Sequence, residues 1–318
     1  MGCAFAALMG LSVASVAEVV TGPPLSVGDR IRDVLEHPAF AGHGRLLLPW
    51  DDRRYDMDMR LTSIASLLPY HSHVDPHVVV DALNRMIDDV NAGKTVFYDF
   101  YTEAQKRLDP SKRNAGLFLF RGKRGAPFAL VAPGGGFAYV GSVHEGFPYA
   151  TEISKAGYNA FVLKYRAGGG AAVATEDMAA ALSYIFRNAR ALGVDTKDYS
   201  VWGSSAGARM AAAIGSHGVA NFGGDQLPKP SAVVMAYTGH SDYTSSEPPT
   251  FVVVGAQDGI APPASMERRI AALRRSGTEV EYHKFANVGH GFGLGTGTSA
   301  NGWIVNATRF WEKHMRGR

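Results

Sequence analysis

Cysteine occurs once in this 318-residue chain, at Cys3. That scarcity excludes an internal disulfide and any cysteine-based metal centre. A surplus of one charge sign is missing too: 32 Lys and Arg stand against 29 Asp and Glu, a formal net charge of +3 with the basic residues scattered. Without a basic stripe, nucleic acid is not an expected partner. No internal repeat is visible, and no apolar run is long enough to span a bilayer comfortably, so stable membrane insertion is not expected. What remains is an ordinary globular composition, 46% hydrophobic and 19% charged, enough for one large domain with an extension.

Three segments separate by composition. Residues 1–17 are nearly uncharged, and Ser15-Val16-Ala17 before Glu18 resembles a secretory cleavage site. No Lys or Arg precedes the apolar stretch, so the segment reads either as a signal for export, periplasmic or secreted, or as a short helix of a cytoplasmic protein. Residues 18–93 are richer in charge and histidine, with helical spacing in Leu61 to Leu68 and in Val78 to Val90, and read as a helical N-terminal extension or partial lid. Residues 94–318 alternate β-rich runs with helical patterns. The runs are Thr95 to Tyr101, Gly116 to Phe120, Phe128 to Ala132, Ala160 to Tyr165, Tyr199 to Trp202, Ala232 to Ala236, Phe251 to Val254 and Val280 to Phe285. Helical spacing falls at Phe147 to Lys155, Glu176 to Leu192, Ala206 to Ile214, Ala264 to Arg275 and Trp303 to His314. The pattern predicts an α/β fold, a mostly parallel eight-stranded sheet with helices on both faces. Sites in such sheets lie at the carboxyl ends of the strands.

Gly203-Ser204-Ser205-Ala206-Gly207 follows one of these strands and opens a helix. A G-x-S-x-G sequence in that context presents the central serine at a sharp turn, with small neighbours required on either side, and marks Ser205 as a candidate nucleophile. A serine hydroxyl needs a general base, and the base needs an acid to hold it. Asp258 directly follows the run Phe251 to Val254, and His290 follows the last strand. Asp242 and Asp225 are the rival carboxylates. Pro133-Gly134-Gly135-Gly136-Phe137 follows another strand, and the N–H groups of Gly135, Gly136 and Ala206 are candidate donors for an oxyanion hole. A dinucleotide loop fails at this triple glycine, since G-x-G-x-x-G would require glycine where Tyr139 stands. Gly168-Gly169-Gly170 lacks a following Gly-Lys-Ser/Thr and reads as a flexible connection.

These motifs, with Gly157-Tyr-Asn-Ala-Phe-Val-Leu-Lys-Tyr-Arg166, resemble the α/β-hydrolases of the acetyl esterase and acetyl-xylan esterase type, related to the hormone-sensitive-lipase-like carboxylesterases. The resemblance covers residues from about 95 to 318. It implies a serine carboxylesterase working on short-chain, acetyl-type esters of small molecules or saccharides, with Ser205, Asp258 and His290 as its triad and no cofactor. Pro133 replaces the histidine of the lipase-like branch, and the extension has no counterpart in the resemblance. A peptidase or amidase related to prolyl oligopeptidases, and a non-catalytic binding protein on the same fold, are the alternatives. Phe137, Tyr139, His144, Glu145, Tyr237 and His240 fall in loops at the catalytic edge and are candidates for the pocket lining. His71, His73 and His77 cluster beside Asp75, but Pro76 breaks any helix that would align them, so surface or pocket-edge positions are expected rather than a metal site. Trp202 and Tyr165 are expected in the core, and the Asn306-Ala-Thr sequon falls within a predicted helix.

Overall fold

The computed structural model describes residues 22–315. The expectations for residues 1–17, export signal or short helix, lie outside the described residues. Eight strands form one sheet: β1 (Phe97–Tyr98), β2 (Gly116–Phe120), β3 (Pro127–Ala132), β4 (Asn159–Lys164), β5 (Asp195–Ser204), β6 (Ala232–Ala236), β7 (Thr250–Gly255) and β8 (Val280–Phe285). Their order is β1-β2-β4-β3-β5-β6-β7-β8, antiparallel at β1/β2 and β2/β4 and parallel from there on. All eight expected runs contain a strand. The first shrinks from Thr95–Tyr101 to two residues, because β1 is an edge strand paired on one side only.

Every residue of β2, β4, β6 and β7 is buried, as strands covered on both faces must be. The two-residue period sends neighbours to opposite layers. Phe118, Phe120, Val131, Val162, Trp202, Val234 and Val253 face one apolar cluster, while Leu117, Leu119, Leu130, Leu163, Val201, Val233 and Val252 face the other. The second layer is closed by α6 (Gly170–Arg187), α8 (Ala206–His217) and α9 (Pro263–Arg275). The first is closed by α5 (Phe147–Lys155) and α10 (Trp303–Lys313), and by the N-terminal segment. Tyr165 and Trp202 are core residues, as expected. The expected helix Glu176–Leu192 starts earlier, at Gly170, and breaks at Asn188 before the short α7 (Ala189–Leu192); Gly169 and Gly170 thus form the start of a helix rather than a free connection.

The extension contains α1 (Ile31–Leu35), α2 (Gly44–Leu47), α3 (Pro76–Asn91) and a 3₁₀ turn at Leu61–Leu67. Ile31, Val34, Phe40, Leu47, Ile64, Leu83 and Ile87 sit in the same apolar cluster as Phe147 and Trp303, so the segment shares the core of the sheet. Polar contacts fasten it as well. Lys164 at the end of β4 has a fully buried side chain, and its ammonium meets Asp51 at 2.8 Å and donates to the carbonyls of Leu48 and Pro49 at 3.2 and 3.1 Å. A buried cation is tolerated only with such partners.

Two stability predictions follow from this packing. Lys164→Met leaves the carboxylate of Asp51 unpaired and should cost about 3 kcal/mol, read as a lower urea midpoint. Lys155→Ala, which removes an exposed pair with Glu152, should cost less than about 0.5 kcal/mol. A third prediction concerns acid. His43, His144 and His240 are each pulled down to about 4, first by burial, with His71 adding to the effect at His144 and Arg269 and Arg209 at His240. Unfolded histidines titrate near the usual value of about 6.5, so between pH 6.5 and 4 the unfolded chain binds more protons and stability falls as pH drops. The ring Nε2 of His43 has no partner among the described residues. Unfolding midpoints measured across that window should decline steadily, and His43→Leu should make the decline shallower by at most one proton; a flat profile in the parent chain would contradict this account.

Candidate active site

The strand β5 ends at Ser204, and the chain turns at once into α8. Ser205 takes φ +50° and ψ −113°, a strained conformation for a residue with a side chain. The turn closes only because its neighbours lack side chains: a Cβ on Gly203 would collide with the Gly207 backbone, and one on Gly207 with the carbonyl of Ala132. The Ser205 amide is anchored to the carbonyl of Ala236 at 2.8 Å, and its side chain remains partly exposed.

Two loops complete the arrangement. His290, beyond β8, accepts the Ser205 hydroxyl at Nε2 over 2.9 Å, and its Nδ1 lies 2.8 Å from Asp258 Oδ2. The carboxylate is an acceptor, so the tautomer with hydrogen on Nδ1 satisfies both bonds. Asp258, beyond β7, is fixed in turn by the amides of Ile260 and Ala261, which donate to Oδ1 at 2.9 and 2.7 Å. The rivals lie elsewhere: Asp242 pairs with His217, and Asp225 with Arg187.

The glycine loop after β3 lies against Ser205, since a Cβ added to Gly134 would come within 3.0 Å of Ser205 Cβ. Among the described residues the N–H groups of Gly135 and Gly136 donate to no protein acceptor, and that of Ala206 is the first in its helix and has no intrahelical acceptor. Gly134 differs, its amide donating to Glu145 Oε2 at 2.5 Å.

Glu145 sits on a π-type turn, Ser142–Gly146, that leads into α5. Its side chain is fully buried. Oε1 accepts the Tyr237 hydroxyl at 2.7 Å and lies 3.0 Å from His71 Nε2. Burial alone would raise its pKa, but the charge and hydrogen bond of His71, with help from His144 and Tyr237, hold it down at about 2. The bonds continue from Tyr237 to Tyr149 at 2.8 Å and from Ser204 Oγ to Tyr149 at 3.2 Å. Burial raises both phenols well above their usual range, so they stay protonated and can donate.

This network corrects four expected pocket residues, the fully buried Glu145 being the first. Tyr139 and Tyr237 have no exposed surface and His144 almost none, so they brace loops instead of lining the pocket. Tyr139 donates from its hydroxyl to, or accepts at it from, His71 Nδ1 at 2.8 Å and accepts the Tyr70 amide at 3.0 Å; His144 Nε2 donates to the Gly291 carbonyl at 3.0 Å. Phe137 and His240 are partly exposed at the catalytic edge. The histidine cluster divides: the side chain of His71 is buried against Glu145, whereas His73 and His77 face outward, and Pro76 opens α3 with Asp75 as its cap. Among the described residues no group of three His, Cys, Asp or Glu stands close enough to hold a metal ion.

The sequence reading missed what the extension brings here. Beside His71, Ser72 donates its hydroxyl to the His290 carbonyl at 2.7 Å and its amide to the Gly291 carbonyl at 3.0 Å. The only sequence signal was a histidine-rich stretch just before a helix, and nothing local says which loop such a stretch will touch.

Comparison with known proteins agrees with this architecture. Residues 121–233 match the family described as BD-FAE, and residues 222–318 match the prolyl oligopeptidase family. An acetylxylan esterase from Xylanibacter ruminicola is 23% identical over 237 residues, which is 65% of this chain and 49% of that protein, so the chain spans about half the length of the curated relative it matches. An α/β-hydrolase enzyme from a Medee basin deep-sea metagenome library superposes with a TM-score of 0.54 at 25% identity, over 63% of this chain and 93% of the other. The acetyl ester-xyloside bifunctional hydrolase of Caldicellulosiruptor lactoaceticus gives 0.59 at 21% identity, covering 68% and 95%. A carboxylesterase from Lactobacillus plantarum gives 0.55 at 21%, covering 64% and 94%. By sheet order, loop placement and these likenesses, the chain has the α/β-hydrolase fold.

Proposed function

We propose that the protein is a serine carboxylic ester hydrolase acting on short-chain acyl esters, acetyl esters first among them, carried by a small alcohol or a saccharide. The observation that carries this reading is the hydrogen-bonded chain Ser205–His290–Asp258 at a strained strand-to-helix turn. The similarity to acetylxylan esterase and to carboxylesterases supports the substrate class.

In this reading His290 takes the Ser205 proton as the oxygen attacks the ester carbonyl, and Asp258 stabilises the imidazolium. The amides of Gly135, Gly136 and Ala206 receive the developing oxyanion. His290 then protonates the departing alcohol, leaving an acyl group on Ser205. A water molecule activated by His290 attacks that acyl-enzyme, the acid leaves, and the serine regains its proton. No step requires a cofactor. Glu145 acts at one remove, by holding Gly134 and thereby the donors that follow it.

Hydrolysis of a p-nitrophenyl ester series should favour the acetyl ester, and Ser205→Ala should lower kcat by at least about 10⁴-fold while leaving the fold intact. Turnover of aminoacyl p-nitroanilides in place of esters would instead move the assignment to the peptidase relatives suggested by the match of residues 222–318. Glu145→Gln keeps the volume but removes the charge that holds the glycine loop, and is expected to lower kcat by up to about 100-fold with KM little changed. Equal changes in kcat and KM would argue against a role through the oxyanion loop.

A further inference from the structure

Tyr70 stands out from the aromatic residues of the extension. The residue is 45% exposed, yet its backbone is fixed on two sides. The amide donates to the buried hydroxyl of Tyr139, and the carbonyl packs so closely on the loop after His290 that a Cβ on Gly291 would come within 2.5 Å of it. One face of the ring stacks on Tyr139, with centroids 5.6 Å apart and planes 22° from parallel. Its edge lies over the glycine loop, 3.1 Å from where a Cβ on Gly136 would stand. A solitary exposed tyrosine is ordinary on a protein surface. One held rigid between the two loops that flank the nucleophile, with part of its ring open to solvent, is a ready contact surface, because little conformational entropy is lost when something binds to it.

The position decides which part of an ester meets the ring. In the tetrahedral intermediate the oxyanion points to the glycine-loop amides, while the leaving oxygen must face His290 Nε2 to receive its proton. A wall that runs from Gly136 to Gly291 therefore borders the alcohol side of the site. The exposed ring suits a broad apolar face such as the C–H face of a pyranose ring, with the sugar hydroxyls left in water. We infer that Tyr70 is a specificity-determining residue, the platform on which the alcohol part of a saccharide ester stacks. This inference rests on the proposed esterase reading.

The test compares acetylated xylotriose with ethyl acetate, whose alcohol is too small to stack. Tyr70→Ala should lower the ratio of kcat/KM for the sugar ester to that for ethyl acetate about tenfold, and Tyr70→Phe, which keeps the ring, should restore it. The backbone bonds at position 70 survive both substitutions. An unchanged ratio, or an equal loss on both esters, would overturn the inference. Binding separates it from the esterase reading: in the Ser205→Ala background, calorimetry with acetylated xylotriose should show about tenfold weaker binding for Tyr70→Ala and none of that loss for Tyr70→Phe. Failure of the parent chain to hydrolyse any ester would count against the proposed function, whereas equal affinities in this binding series would count against Tyr70.

Discussion

The buried carboxylate of Glu145 is the contact on which the candidate site depends. It gathers three donors from distant parts of the chain: the Gly134 amide, the Tyr237 hydroxyl and the His71 imidazole. A carboxylate removed from water is costly unless its lone pairs are filled, so each donor is held in place by what the others would lose if it left. The consequence is geometric. The glycine loop, the turn after β6 and the N-terminal segment meet at one point beside Ser205, and none can shift without exposing the charge to an unsatisfied environment.

The same logic explains how the extension is held against the candidate site. Apolar packing against α5 and α10 provides its attachment in bulk, but apolar contacts are tolerant of small slides. Directional bonds remove that freedom. Lys164 pins the chain at residues 48–51, Tyr139 pins Tyr70 and His71, and Ser72 reaches the carbonyl of His290 itself. His290 is thus held by Asp258 through its ring and by Ser72 through its backbone, two constraints from opposite ends of the sequence.

Much of the fold could be read in advance because β-branched and aromatic runs, buried on both faces, mark strands almost regardless of context. The elbow was readable for a related reason: glycines at positions 203 and 207 answer a local steric demand. Failures came where the answer lay in tertiary structure. The helix Glu103–Leu108 (α4) was not foreseen, although Thr102 and Gln105 form a capping box at its start, because six residues carry too little apolar periodicity. Tyr139, His144 and Tyr237 were placed at the catalytic edge, which is where they are, but a loop position does not say whether a ring faces the solvent or the interior. His71 was grouped with His73 and His77 by spacing alone. A positive φ of 55° at His73, with Pro76 starting α3 soon after, turns the chain so that only His71 points inward.

The division between matched and unmatched segments has a physical meaning. Every group assigned to bond making lies within residues 121–318, where the family matches fall, and each is placed by a strand end or a glycine turn. Such positions are set by the sheet and tolerate little variation in backbone, so they can be shared by proteins of low overall identity. In the proposed reading the wall facing the alcohol is supplied from outside that region, by Tyr70 on a segment held by Lys164, Tyr139 and Ser72. On that reading, reaction chemistry and substrate preference are carried by separable parts of the molecule: changes around Tyr70 would alter which alcohol is accepted as long as His71 and Ser72 continue to hold the glycine loop and the histidine loop in register.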